Sequence, residues 1–124
     1  MSDELFLYAI VSSEAVALSK GSRGKMTSQA GHGFVGAFCD AMDRFPDKAR
    51  AYKESGATPK ATLVTDEATL HQLYRLYKDK AGVSLIRDAG RTVFDRPNIL
   101  TALGIGPIAK GDREDILANL KPWQ

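Results

Sequence analysis

Residues Leu5 to Val11 form an unbroken apolar run, which suits a strand buried on both faces. From Lys25 to about Arg44 the pattern changes. Met26, Ala30, Phe34, Ala37, Phe38, Ala41 and Met42 recur at the three- and four-residue spacing of one helix face. Between these two segments, Ser12 to Gly24 reads as a loop. Phe45-Pro46 breaks the long helix, and a second, less hydrophobic one is predicted over Asp47 to Glu54, ending near Gly56. Ala61 to Val64 is a short strand introduced by Pro59. Thr65 or Asp66 can cap a helix running to about Ala81, with Leu70, Leu73, Tyr74 and Tyr77 inward and Gly82 as its stop. Val83 to Asp88 gives the next strand. Leu100 to Ile105 gives a fourth, closed by Gly106-Pro107, and Asp112 can start a last helix that turns Ile116, Leu117 and Leu120 inward. The order β-α-α-β-α-β-β-α predicts an α/β layered sandwich with a four-stranded mixed sheet and helices on both faces. With no repeat and no long linker, residues 1–124 are expected to form a single domain.

Composition narrows the class without choosing a function. A chain of 124 residues, 44% hydrophobic and 26% charged, can bury roughly two-thirds of its surface without staples. The lone Cys39 excludes an internal disulfide and points to a reducing, cytoplasmic setting. The run Leu5–Val11 is too short for a membrane span, and the acids Asp3 and Glu4 before it do not resemble a signal peptide. A net charge of +2 does not by itself indicate nucleic acid. Its distribution says more. Lys20, Arg23 and Lys25 lie within six residues with no acid among them, whereas Arg87, Arg91 and Arg96 are interspersed with Asp88 and Asp95. Solvated surface is the alternative reading of both groups.

Two segments carry polar groups that architecture alone does not require. Lys25, Gln29 and His32 project from one side of the long helix, a side expected to lie largely opposite its apolar stripe. Three glycines, Gly31, Gly33 and Gly36, follow within six positions. Each costs a helix about 1 kcal/mol relative to alanine, which close approach of another backbone or of a ligand would explain. A phosphate-binding loop is ruled out, because only two residues separate Gly21 from Gly24 and Met26 follows Lys25 where Ser or Thr is needed. In Asp88-Ala-Gly-Arg-Thr92, the acid ends a strand and Gly90 lets Asp88 and Thr92 face one space. A carboxylate there can orient or deprotonate water and a hydroxyl can donate or attack; an Asx turn is the structural alternative. His32 is the rival base, imidazole being the side chain most often used as one. His32, His71 and Cys39 have no metal-ligand spacing; His71 is expected on the outward side of its helix and Cys39 as a small core residue. Trp123 can either pack or stack on a base.

Together these segments resemble the type-two peptidyl-tRNA hydrolases. The likeness covers most of the chain and rests on Gly24-Lys25 with Gln29 and His32, on Val83 to Thr92 (VSLIRDAGRT), and on Leu103 to Pro107 (LGIGP). The resemblance implies cleavage of the ester between a peptide and the 3′-terminal ribose of tRNA, with no cofactor or metal, by a protein that is commonly dimeric. It carries the proposed catalytic roles onto Lys25, Asp88 and Thr92, with Gln29 and His32 on the site wall. Lys20, Arg23, Arg91 and Arg96 are the expected tRNA contacts, and Phe94, Pro97 and Ile99 lie in a loop whose apolar side chains would serve a homodimer, folding of Phe94 and Ile99 back onto the core being the alternative. A non-catalytic relative that grips tRNA or a protein is the alternative. The sequence departs from the family in the exit from its first strand (Ser12-Ser13-Glu14), in the run Gly21-Ser-Arg-Gly-Lys25, and in a longer loop at 93–98.

Overall fold

The computed structural model describes residues 4–89, 94 and 97–124. The elements follow in the order β1 (Leu5–Ser12), α1 (Ser13–Leu18), α2 (Arg23–Arg44), α3 (Pro46–Glu54), β2 (Lys60–Thr65), α4 (Glu67–Tyr77), β3 (Val83–Asp88), β4 (Ile99–Ala109), α5 (Asp115–Ala118) and β5 (Lys121–Pro122), with a 3₁₀ turn at Lys110–Asp112. They build an α/β fold around a mixed sheet in the order β3-β4-β1-β2-β5. β1 pairs parallel with β2, while β4 runs antiparallel to both β1 and β3. β1, β2 and β3 therefore point the same way. Their carboxyl ends, Ser12, Thr65 and Asp88, lie along one rim of the sheet, where open α/β sheets place their functional groups.

The two faces of the sheet are sorted by side-chain size. On one face Tyr8, Ile10, Leu103 and Ile105 pack with Leu70, Leu73 and Tyr77 of α4 and Leu117 of α5. On the other, Ala9, Val11 and Ala102 meet Met26 and Ala30 of α2. Alternation along a strand produces this division, and the small residues let the long helix settle close to the strands. The approach is tightest at Gly104, where a Cβ would overlap the carbonyl oxygen of Gly33. A Cβ at Gly36 would overlap the Ser84 hydroxyl, so these two helical glycines are explained by contact with the sheet. Gly31 has open space around it and is not.

Several boundaries differ from the sequence pattern, each for a local reason. The sheet has five strands rather than four, because two residues after α5 pair with Leu63 and Val64 of β2. The expected loop at 12–24 contains α1, whose first turn is closed by Ser12 accepting from the Ala15 N–H at 3.1 Å. The long helix begins at Arg23, capped by Ser22. α4, capped by Asp66, stops at Tyr77 instead of Ala81. β4 does not close at Gly106-Pro107 but continues through a cis peptide bond there to Ala109. The last helix is a single turn, Asp115–Ala118, rather than one begun at Asp112.

Candidate active site

The first turn of α2 is held by Ser22, whose Oγ accepts from the Lys25 N–H at 3.3 Å. This fixes Lys25 over the rim at which β3 ends. The Lys25 Nζ lies 2.6 Å from Asp88 Oδ1, with 18% and 6% of the two side chains exposed. Gln29, one turn along α2, directs its Nε2 at the same carboxylate oxygen from 3.5 Å, a long contact that leaves Lys25 the closer partner. The Gln29 Oε1 in turn accepts from Thr101 Oγ1 of β4 at 2.6 Å, and the Ile86 carbonyl oxygen lies 3.2 Å from the same hydroxyl. Thr101 thus fixes the amide of Gln29 with its oxygen toward β4 and its nitrogen toward Asp88.

The surroundings strengthen this pair. Phe94 is 2% exposed, and its ring centroid lies 5.9 Å from Lys25 Nζ. An aromatic face near an ammonium attracts it, and apolar cover weakens the screening of nearby charges. The main chain that carries the carboxylate is anchored as well. The Asn98 N–H donates to the Asp88 carbonyl at 2.8 Å, and Arg87 Nη1 donates to the Asn98 carbonyl at 3.1 Å. The end of β3 is therefore tied to the residues that lead into β4. Together the groups present a cation beside a fixed carboxylate, able to polarise a carbonyl and to hold a water or hydroxyl as acceptor.

Of the residues singled out in the sequence, Lys25, Gln29 and Asp88 are brought together. The expected orientation of the first two needs correcting. Gln29 is 4% exposed, and Lys25 reaches inward to β3, so this side of α2 is not opposite its buried stripe. Residue 29 sits three positions after Met26 and four before Gly33, both buried, and a helix sunk against small strand residues carries its flank inward as well. His32 is exposed and makes no hydrogen bond or ion pair among the described residues. Lys20 and Arg23 are exposed, and the Arg23 guanidinium lies 5.3 Å from the centre of the Trp123 ring. Thr92, Arg91 and Arg96 lie outside the described residues. Cys39 is exposed rather than part of the core, because its position falls on the outer side of α2. Phe94 folds into the core beneath Met26 and Ala30, so it is not an exposed loop residue. His71 is half-exposed, 3.7 Å from Glu67. Sequence reasoning missed Thr101, whose signal is a single hydroxyl within the otherwise apolar run Ile99–Ala109.

A family model described as Peptidyl-tRNA hydrolase PTH2 matches residues 7–123. The chain is 36% identical over 103 residues to the probable peptidyl-tRNA hydrolase 2 of Drosophila melanogaster, covering 82% of this chain and 55% of that protein. It is 33% identical over 100 residues to the peptidyl-tRNA hydrolase of Methanocaldococcus jannaschii, covering 80% and 86%. With the Methanococcus vannielii peptidyl-tRNA hydrolase it shares 34% over 103 residues, covering 82% and 88%. The chain thus spans about half the length of the fly relative and most of the length of the two archaeal ones.

Proposed function

The chain belongs to the Peptidyl-tRNA hydrolase PTH2 family, and from that membership we propose that it hydrolyses the ester joining a peptide to the 3′-terminal ribose of tRNA. The observation that carries the reading is the Lys25–Asp88 pair at 2.6 Å on the carboxyl rim of the sheet, braced by Gln29 and Thr101. Asp88 orients the attacking water, directly or through the Thr92 hydroxyl. The water oxygen bonds to the ester carbonyl carbon, and the Lys25 ammonium stabilises the oxyanion that develops. The bond to the ribose oxygen then breaks, that oxygen takes up the proton that the water gave to Asp88, and free peptide and tRNA leave. With Lys25 as the cation, the reaction needs no metal ion. His32, exposed on the next turn of α2, lines the approach.

Lys20 and Arg23, exposed just before Lys25 in the chain, are the proposed phosphate contacts, together with Arg91 and Arg96. Binding through them releases counterions, so affinity for tRNA should fall steeply between low and physiological salt. An affinity indifferent to salt would remove these residues from that role. The protein is proposed to work in the cytoplasm as a homodimer, consistent with its resemblance. Val35 and Met42, 65% and 49% exposed on the outer side of α2, supply an apolar surface for the second copy. Sedimentation at the mass of one chain would exclude it. The deciding experiment is a single-turnover assay with purified peptidyl-tRNA. Release of free tRNA and peptide is expected; tRNA binding without release would make the protein a non-catalytic relative.

A further inference from the structure

Trp123 is the sole tryptophan of the chain, and the hydrolytic reading leaves it without a task. It follows β5, where its N–H donates to the Thr62 carbonyl at 3.0 Å, and its indole packs against the cluster that contains Met26. The Arg23 guanidinium lies over the ring at 5.3 Å. Beside this stack is a pocket of about 200 Å³, walled by Val16, Ser19, Gly21, Arg23, Met26 and Trp123 among others. Among the described residues no acidic side chain lines it. Gly21 has φ +82° and open space where a Cβ would point, so the turn forms a thin wall on that side. Exposed Lys20 stands next to it.

A ligand suited to this pocket is flat, with a π-face for the indole or guanidinium, and has a phosphate near enough for a lysine. An unpaired nucleobase meets both conditions, since unstacked bases are held on aromatic rings and on arginine planes. The pocket is connected to the site through α2 and the packing beneath it. Met26 lines it and belongs to the same cluster as Phe94, whose ring lies beside Lys25 Nζ. Arg23 and Lys25 are two residues apart on α2, about 3 Å along its axis and about 200° around it, so the pocket and the site flank the same helix end. We propose that Arg23 and Trp123 form a stacking subsite for an unpaired base of the single-stranded 3′ end of tRNA, which rests on the hydrolase reading and names how that site holds its substrate.

Because the chain has one tryptophan, its fluorescence reports the proposed contact directly. The native protein is titrated with the RNA tetranucleotide ACCA and with an abasic ribose-phosphate oligomer of equal length. Saturable quenching by ACCA and little by the abasic oligomer is expected. Equal quenching by both, or by neither, overturns the stacking, as does quenching only by an N-acylated aromatic amino acid, which would assign the pocket to the peptide. Trp123→Ala should raise KM for peptidyl-tRNA between about five- and a hundredfold, more than it lowers kcat, and Trp123→Phe should recover most of the loss. A fall in kcat at unchanged KM counts against the subsite. Turnover without quenching refutes the stacking alone, and quenching without turnover refutes the hydrolase reading alone.

Discussion

The two ends of α2 each hold an ion pair of nearly equal length, Lys25–Asp88 at 2.6 Å and Arg44–Asp40 at 2.7 Å. Their settings differ. At the C-terminal end, Arg44 meets Asp40 through Nε and Nη2 and also donates to the carbonyls of Lys78 at 2.6 Å and Ala81 at 3.1 Å. Asp40 accepts in addition from the Val83 N–H at 2.9 Å. The guanidinium fork is directed at groups already in place, and the result is a clamp between α2 and the turn that enters β3. At the N-terminal end, one donor of the Lys25 ammonium engages Asp88, and the pair joins a helix to a strand end 63 positions away in the sequence. Distance alone does not separate a structural ion pair from a reactive one. What separates them is whether the donors are used up by the fold: the Lys25–Asp88 pair is the less exposed of the two, yet among the described residues Lys25 has one polar partner, while Arg44 also serves two carbonyls.

That contrast breaks most sharply under Asp88→Asn. The substitution should cut turnover of peptidyl-tRNA at least tenfold, or about 1.4 kcal/mol in the barrier, with a modest fall in melting temperature because the Lys25 ammonium loses its counter-ion. A large loss of stability with activity retained would put Asp88 in the same class as Asp40. The close seat of α2, which both pairs depend on, is tested by Gly104→Ala. Here the added methyl would overlap the Gly33 carbonyl, and denaturant unfolding should show a loss of about 2–3 kcal/mol. Gly31→Ala, in open space, should instead stabilise by about 0.5–1 kcal/mol. An equal loss at both positions would mean that the helix does not rest on the sheet through Gly104.

An effect of similar small size is expected at the other end. Arg44→Ala should destabilise by about 1 kcal/mol, since both partners are partly exposed, and leave turnover unchanged. Its pH dependence has a definite sign. The Arg44 hydrogen bonds, and after them the Val83 N–H, hold the Asp40 carboxyl below its usual range despite partial burial. A carboxyl lowered in the folded state stabilises it above the unfolded value, about 3.9, and loses that contribution as pH falls through the folded value. The stability gap between parent and Arg44→Ala should therefore be full at neutral pH and close in the acid range below about pH 4. A gap that widened on acidification would remove Asp40 from the clamp.

Much of the layout was legible in the linear pattern. The apolar run of β1, the stripe of α2 and the strand ending at Asp88 all follow from local periodicity, which depends only on how side chains alternate or wind. α1 and β5 were not legible. α1 has six residues and one fully buried side chain, and β5 exists only because two residues after α5 meet the edge of β2. Strand pairing over long separations leaves no periodic mark on so short a segment.

For the site, the chain by itself determined the chemistry available: an amine at 25, an amide at 29 and a carboxylate at 88, each at the end or along the flank of an element that periodicity locates. It did not determine that they meet. Lys25 and Asp88 come together because β3 runs in the same direction as β1, which brings its carboxyl end beneath the first turn of α2. Gln29 and Thr101 join them because small residues at Ala9, Ala102 and Gly104 let the helix sink until its flank faces the strands. Side-chain identity is a local property of the sequence, whereas the depth at which a helix rests on a sheet is set by the volumes packed beneath it, and only the tertiary structure fixes that.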